Sequence, residues 1–188
     1  MKKTRRKSEV TREDLLRTFA EIDDLLARQK KKVSVTAIGG VSIILQRIRD
    51  RSTADIDIAN IGDAAAFQEA CSGKGIPVDI VTVSSTVDFV HAPKVALFRG
   101  RALEVNSITA EDLIRLKLER FYKQDPEDIY AIIEKTAMPY ERFKEIACDM
   151  LPDFIGNPRM LLLSAMIVVE TIYPENRANF EALLSKQS

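Results

Sequence analysis

Three aspartates stand where carboxylates could do metal chemistry. Asp55 and Asp57 lie two apart in an alternating stretch over residues 55–61, and Asp79 interrupts an apolar run over residues 76–83. On a strand, residues two apart share a face, so Asp55 and Asp57 project together while Ile56 and Ile58 face the other way. Carboxylates spaced like this can hold a hard divalent cation, Mg²⁺ or Mn²⁺, against a phosphate-bearing ligand. A charge inside an apolar strand is costly unless it is paired or metal-bound, so Asp79 is either a satisfied structural residue or a third ligand. With 14 Asp in 188 residues, about one Asp-x-Asp arises by chance, and the pair alone carries no information. The order of the surrounding elements does.

A short apolar run (Val33, Val35, Ala37) leads into Gly39-Gly40. Two glycines at a strand end let the backbone turn sharply and come close to a ligand. The amides that open the following helix make a phosphate seat. That helix is expected over 41–48, and Arg47, Arg49 and Arg51 then crowd the next loop. These arginines form a solvated rim or touch a triphosphate or nucleic-acid backbone.

In the order strand, Gly39-Gly40, helix, Arg51-x-Thr53-x-Asp55-x-Asp57 and a later strand with Asp79, the chain resembles the nucleotidyltransferase superfamily with the DNA-polymerase-β-like fold. It looks most like the bacterial branch of AbiEii-type toxins and minimal nucleotidyltransferases. The resemblance spans roughly residues 36–133. It implies an α+β fold, a mixed sheet flanked by helices, with a C-terminal helical appendage. It further implies Mg²⁺-dependent transfer of an NMP from an NTP to an acceptor, which could be a tRNA end, a protein hydroxyl or a small molecule. Asp55, Asp57 and Asp79 would be the catalytic metal ligands. Gly39, Gly40, Ser42, Arg51, Thr53, Lys117 and Asp128 would bind substrate. Arg51 matches the family's R-x-T-x-D position, and a lysine in a run like LIRLKLER points to the phosphates. Asp128 either anchors Lys117 or acts as a helix-start charge.

Two departures are visible. Many members carry Gly-Ser at the cradle, whereas the first hydroxyl here is Ser42, and fourteen residues lie between Gly40 and Asp55. Two function classes stay open. One is the enzyme, including a sugar or antibiotic adenylyltransferase that differs in its acceptor pocket. The other is a binding or regulatory module without turnover, such as one half of a toxin–antitoxin pair with a partner protein.

The elements that must position these residues follow from periodicity. Thr11 and Asp14 cap a helix with Leu15, Phe19, Ile22, Leu25 and Leu26 on one face. Strands are expected at 33–38, 55–61 and 76–83, a helix at 63–72, and a hairpin over 94–105 turning at Arg99-Gly100-Arg101. Thr109 caps a helix over 110–122, in which Lys117 lies near the apolar stripe and would snorkel if exposed. Asp128 opens the next helix. Residues 1–135 are expected as one domain with a basic tail at 1–10, which is a phosphate-seeking arm or a frayed end. Residues 136–188 form a helical region, cut by Pro152, Pro158 and Pro174, that packs on the domain or on a second subunit.

Composition narrows the classes. Lys plus Arg and Asp plus Glu are both 28, so no global field advertises a polyanionic or membrane partner. Two cysteines without ligand spacing and a single histidine exclude a disulfide framework, a zinc site and a Ser-His-Asp triad. No apolar segment follows the basic N-terminus and the run 160–169 is too short to span a bilayer, so a cytoplasmic protein is expected.

Overall fold

The computed structural model describes residues 9–82 and 84–186. The chain divides into two compact units, Met1–Val83 with Pro93–Ile108, and Ser84–Ala92 with Thr109–Ser188.

The first unit is α+β. Its elements are α1 (Arg12–Arg28), β1 (Val33–Ala37), α2 (Gly39–Leu45), β2 (Ile56–Ala59), α3 (Ala64–Cys71), β3 (Val78–Val81), β4 (Val95–Arg99) and β5 (Leu103–Ser107). The strands form one mixed sheet in the order β3-β2-β1-β5-β4. β1 runs antiparallel to β2 and parallel to β5, β2 is parallel to β3, and β4 is antiparallel to β5. Thr11 caps α1 as expected: its Oγ accepts from the Asp14 N–H at 3.3 Å, and the Asp14 carboxylate accepts from the Thr11 N–H at 3.2 Å. The buried stripe Leu15, Phe19, Ile22, Leu26 repeats at helical spacing and packs on the sheet's apolar residues. Phe19 is the hub, edge-on to Phe67 and Phe98 with ring centroids 6.1 and 5.8 Å away.

The second unit is helical: α4 (Ala110–Arg120), α5 (Asp125–Thr136), α6 (Tyr140–Asp149), α7 (Pro158–Ile172) and α8 (Arg177–Lys186). Pro139 and Pro158 stand at the starts of α6 and α7, and Pro174 opens a short 3-10 turn (Pro174–Asn176) before α8, positions where a missing N–H costs nothing.

Several expectations move. The units divide at Ile108/Thr109, where the sequence suggested 135/136, because α4 and α5 are tied to each other by buried ion pairs described below. Residues 1–8 of the expected basic tail lie outside the described residues, but Val10 is no tail. It is buried and bridges Thr53, with N–H···O distances of 2.7 and 3.0 Å in the two directions. α5 opens at Asp125 rather than Asp128, since Pro126 suits a first turn.

Segment 84–92 leaves the sheet unit between β3 and β4 because Glu119 of α4 gathers it. That carboxylate accepts from the Ser84 hydroxyl at 2.8 Å, the Ser85 N–H and hydroxyl at 3.0 and 2.7 Å, and the Thr86 hydroxyl at 3.2 Å. Val87 and Phe89 behind it are buried.

Candidate functional site around Gly39 and Asp57

The candidate site forms where β1 ends and α2 begins. Ile38 is still extended, and Gly39 turns the chain with φ of +62°, a conformation L side chains avoid. The glycine pair does not precede the helix, as the sequence suggested; it forms the helix's first two residues. β2 lies beside β1, with Ala37 opposite Ile58, and the Ile38 N–H donates to the Asp57 carbonyl at 2.9 Å. This places Asp57 directly over the turn. A Cβ at Gly39 would overlap Asp57 Oδ2, so bare backbone at this position is what lets the carboxylate sit there.

Gly40 is closed in from the other side. A Cβ there would lie 2.7 Å from Thr53 Oγ1 and 3.3 Å from Arg51 Nη2. Thr53 is held in place by its backbone bridge to Val10 and donates its hydroxyl to the Asp55 carbonyl at 3.2 Å. Arg51 Nη1 donates to the Ser52 carbonyl at 2.9 Å. The glycine pair is thus ringed by a carboxylate, a hydroxyl and a guanidinium from the R-x-T-x-D-x-D stretch.

Asp79 joins through the sheet. β2 and β3 are parallel with Asp57 and Asp79 as register partners, so the two carboxylates leave the same face of neighbouring strands. Ile56 and Ile58 point into the core, as strand parity required. Two parts of the expected trio differ. β2 starts at Ile56, so Asp55 lies in the bend before the strand and strand parity does not govern it. β3 is an edge strand and Asp79 is exposed, so the desolvation cost that singled it out does not arise there. Among the described residues, no group of three or more His, Cys, Asp or Glu side chains is arranged to hold a metal.

Three other expected residues are engaged elsewhere. Ser42 is fully buried and donates its hydroxyl to the Ala37 carbonyl at 2.9 Å, locking the strand end to α2 instead of facing a ligand. Lys117 neither snorkels nor reaches out: it is 3% exposed, and its Nζ bonds Asp125 Oδ1 at 3.1 Å and Asp128 Oδ2 at 2.7 Å. Asp128 is therefore an anchor for Lys117. Arg120 adds two bonds to Asp125, at 2.9 and 2.8 Å, and the Tyr122 N–H a third at 2.8 Å. Burial pushes the Asp125 carboxyl upward, but these donors and the Lys117 charge outweigh it and hold the group below its ordinary value.

Sequence reasoning missed Asp23. It is a buried carboxylate on α1 that caps the β4–β5 turn, accepting from the N–H groups of Arg101, Ala102 and Leu103 at 3.1, 2.7 and 2.8 Å. A Cβ at Gly100 would overlap that carboxylate. The only sequence signal was an acidic pair, Asp23-Asp24, inside an otherwise apolar helical stripe. Burial raises the Cys71 thiol to about 12 and pushes Cys148 up as well.

No helix among the described residues is long and apolar enough to cross a membrane. Comparison with curated proteins and with solved structures gives no match. A family model does match, over residues 13–153, a span that takes in the whole glycine turn, both carboxylate strands and α4 to α6. The chain accordingly belongs to the family described as Nucleotidyltransferase of unknown function (DUF6036).

Proposed function

We propose that this protein is a divalent-metal-dependent nucleotidyltransferase with a polymerase-β-like active site, transferring an NMP from an NTP to an acceptor hydroxyl. The observation that carries the reading is the Asp57 carboxylate seated on the side-chain-free backbone of Gly39, with Asp79 in register beside it. The donor set suits Mg²⁺ or Mn²⁺: it is all carboxylate oxygen, and Mg²⁺ is ordinarily held by one or two carboxylates together with substrate phosphates. Asp57 and Asp79 would hold the ion together with the substrate phosphates. Once bound, such an ion neutralises charge on the phosphates during in-line displacement.

The chain's own groups divide the remaining work. The backbone at Gly39 and Gly40 leaves room for phosphate oxygens, Arg51 supplies a cation beside them, and Thr53 fixes the bend that carries Asp55. Asp79, exposed at the sheet edge, would take the proton from the acceptor hydroxyl. The acceptor oxygen then bonds to the α-phosphorus as the bond to the bridging oxygen breaks, and pyrophosphate leaves. Ser42 and Lys117 have structural roles in this scheme.

The test incubates the full chain with each α-labelled NTP, Mg²⁺ and a cell extract, beside the Asp55→Asn/Asp57→Asn variant. Label should enter one fraction with the wild type and vanish with the variant. Mg²⁺ should raise the melting temperature of the wild type alone. If the wild type shows neither labelling nor Mg²⁺ stabilisation, the enzyme reading fails.

A second reading, a binding or regulatory module such as a toxin–antitoxin component, draws on the position of Asp55 outside β2. It expects no Mg²⁺ response and an unaltered phenotype in the double variant.

A further inference from the structure

Residues 160–169 of α7 contain no charge and a single hydroxyl, at Ser164. Leu161, Leu162, Ala165, Met166, Val168 and Val169 are buried in the helical unit. On the opposite side three large apolar side chains lie open: Met160 is 58% exposed, Leu163 39% and Ile167 46%. A helix that is apolar all round belongs in surroundings that cover every side. Among the described residues, Met160, Leu163 and Ile167 stay open to solvent.

The polar groups on that face are already satisfied. Ser164 donates its hydroxyl to the Met160 carbonyl at 3.0 Å, and Thr171 donates to the Ile167 carbonyl at 2.9 Å. Burying the face therefore strands neither hydroxyl.

What covers it follows from its charges. Arg159 and Glu170 bracket the stripe about 16 Å apart, three helical turns, at nearly the same angle round the helix axis. They thus stand on the same flank. A two-fold axis that sets two such helices antiparallel and face to face keeps each flank on its own side and reverses direction. It brings Arg159 opposite Glu170 of the second copy, twice per pair, and packs the stripe on its counterpart, with Leu163 meeting Ile167 of the second copy. A parallel two-fold would put like charges level with one another instead. Glu170 already accepts from Arg177 Nε at 3.0 Å, and a carboxylate has lone pairs for a second guanidinium.

We propose that α7 is a self-association surface, pairing antiparallel with α7 of a second copy through the Met160–Leu163–Ile167 stripe and reciprocal Arg159–Glu170 ion pairs. The contact is self-complementary, as a two-fold interface must be. One helix stripe is at the small end of specific interfaces, so the dimer forms with concentration.

Sedimentation velocity on the full chain, from about 1 to about 200 µM, tests this. The wild type should pass from monomer to dimer, and Ile167→Glu should stay monomeric throughout. Arg159→Glu alone and Glu170→Arg alone should each weaken dimerisation about tenfold, since each sets two like-charge contacts. The combined Arg159→Glu/Glu170→Arg exchange should restore it. Circular dichroism confirms that each variant is folded, and the charge exchange carries the test if Ile167→Glu is not. A monomer at all concentrations, as a face reserved for a different partner would give, overturns the proposal. So does a dimer indifferent to Ile167→Glu, or an exchange no better than the single variants.

Discussion

The ammonium of Lys117 and the carboxylate of Asp128 meet at 2.7 Å, eleven residues apart in sequence and almost wholly out of solvent. With Asp125 and Arg120 they form a two-cation, two-anion cluster that fixes α4 to α5. Removing one member of a buried ion pair typically costs 3–5 kcal/mol, because the charge left behind cannot be rehydrated.

Lys117→Met should therefore lower stability by about 3 kcal/mol in urea unfolding. Lys117→Met with Asp128→Leu should recover part of that loss, since apolar groups of similar size replace such pairs well. Nucleotide binding, measured by calorimetry where the variant is folded, should hold. Unchanged stability with weakened binding would instead put Lys117 at the phosphates.

Asp23 makes a similar claim for the sheet unit. Asp23→Ala leaves three backbone N–H groups of the β4–β5 turn without their acceptor, two of them on buried residues. A cost of about 2–4 kcal/mol is expected. Gly100→Ala should destabilise comparably by displacing the carboxylate. Thermal unfolding of both variants checks this, and a neutral Gly100→Ala would show that the turn yields easily.

Glu119 gives a pH signature. Burial pushes its carboxyl up, but the hydroxyl and N–H donors of Ser84, Ser85 and Thr86 outweigh burial and hold it below its ordinary 4.5. A group lowered in the folded state binds protons more readily when unfolded. Its stabilisation is thus complete above 4.5 and is lost as pH falls through the folded value. Glu119→Gln should be less stable than the wild type at neutral pH, and the gap should narrow below about pH 4. Denaturation midpoints across that range decide it, and a gap independent of pH would refute the role.

Much of the sheet unit was legible because its signals are local. Alternation gave the strand faces of Ile56, Asp57 and Ile58, the Thr11 and Thr109 caps followed from residue type and spacing, and the glycine pair marked the turn. Failures came where a residue's fate depends on distant chain. Ser42 carries the right hydroxyl for a phosphate, but the carbonyl of Ala37 comes within its reach first. For Lys117 the sequence left snorkelling, a phosphate contact and an Asp128 anchor open, because its two carboxylate partners arrive from the next helix. Asp79 looked buried because an apolar run does not disclose that its strand is the outermost of five. Asp23 was invisible for the same reason: its ligands are main-chain amides 78 to 80 residues away.

The excursion at 84–92 has a consequence for how this gene can be cut. Chain crosses between the units three times, after residue 83, before residue 93 and after residue 108. A fragment ending at residue 108 would keep the whole sheet but carry a nine-residue orphan with Val87 and Phe89 stripped of cover, while a fragment starting at 109 would lack the hydroxyls that clothe Glu119. No single scission yields two self-sufficient pieces. The helices after 108 are thus interleaved in sequence with the sheet unit rather than appended to it.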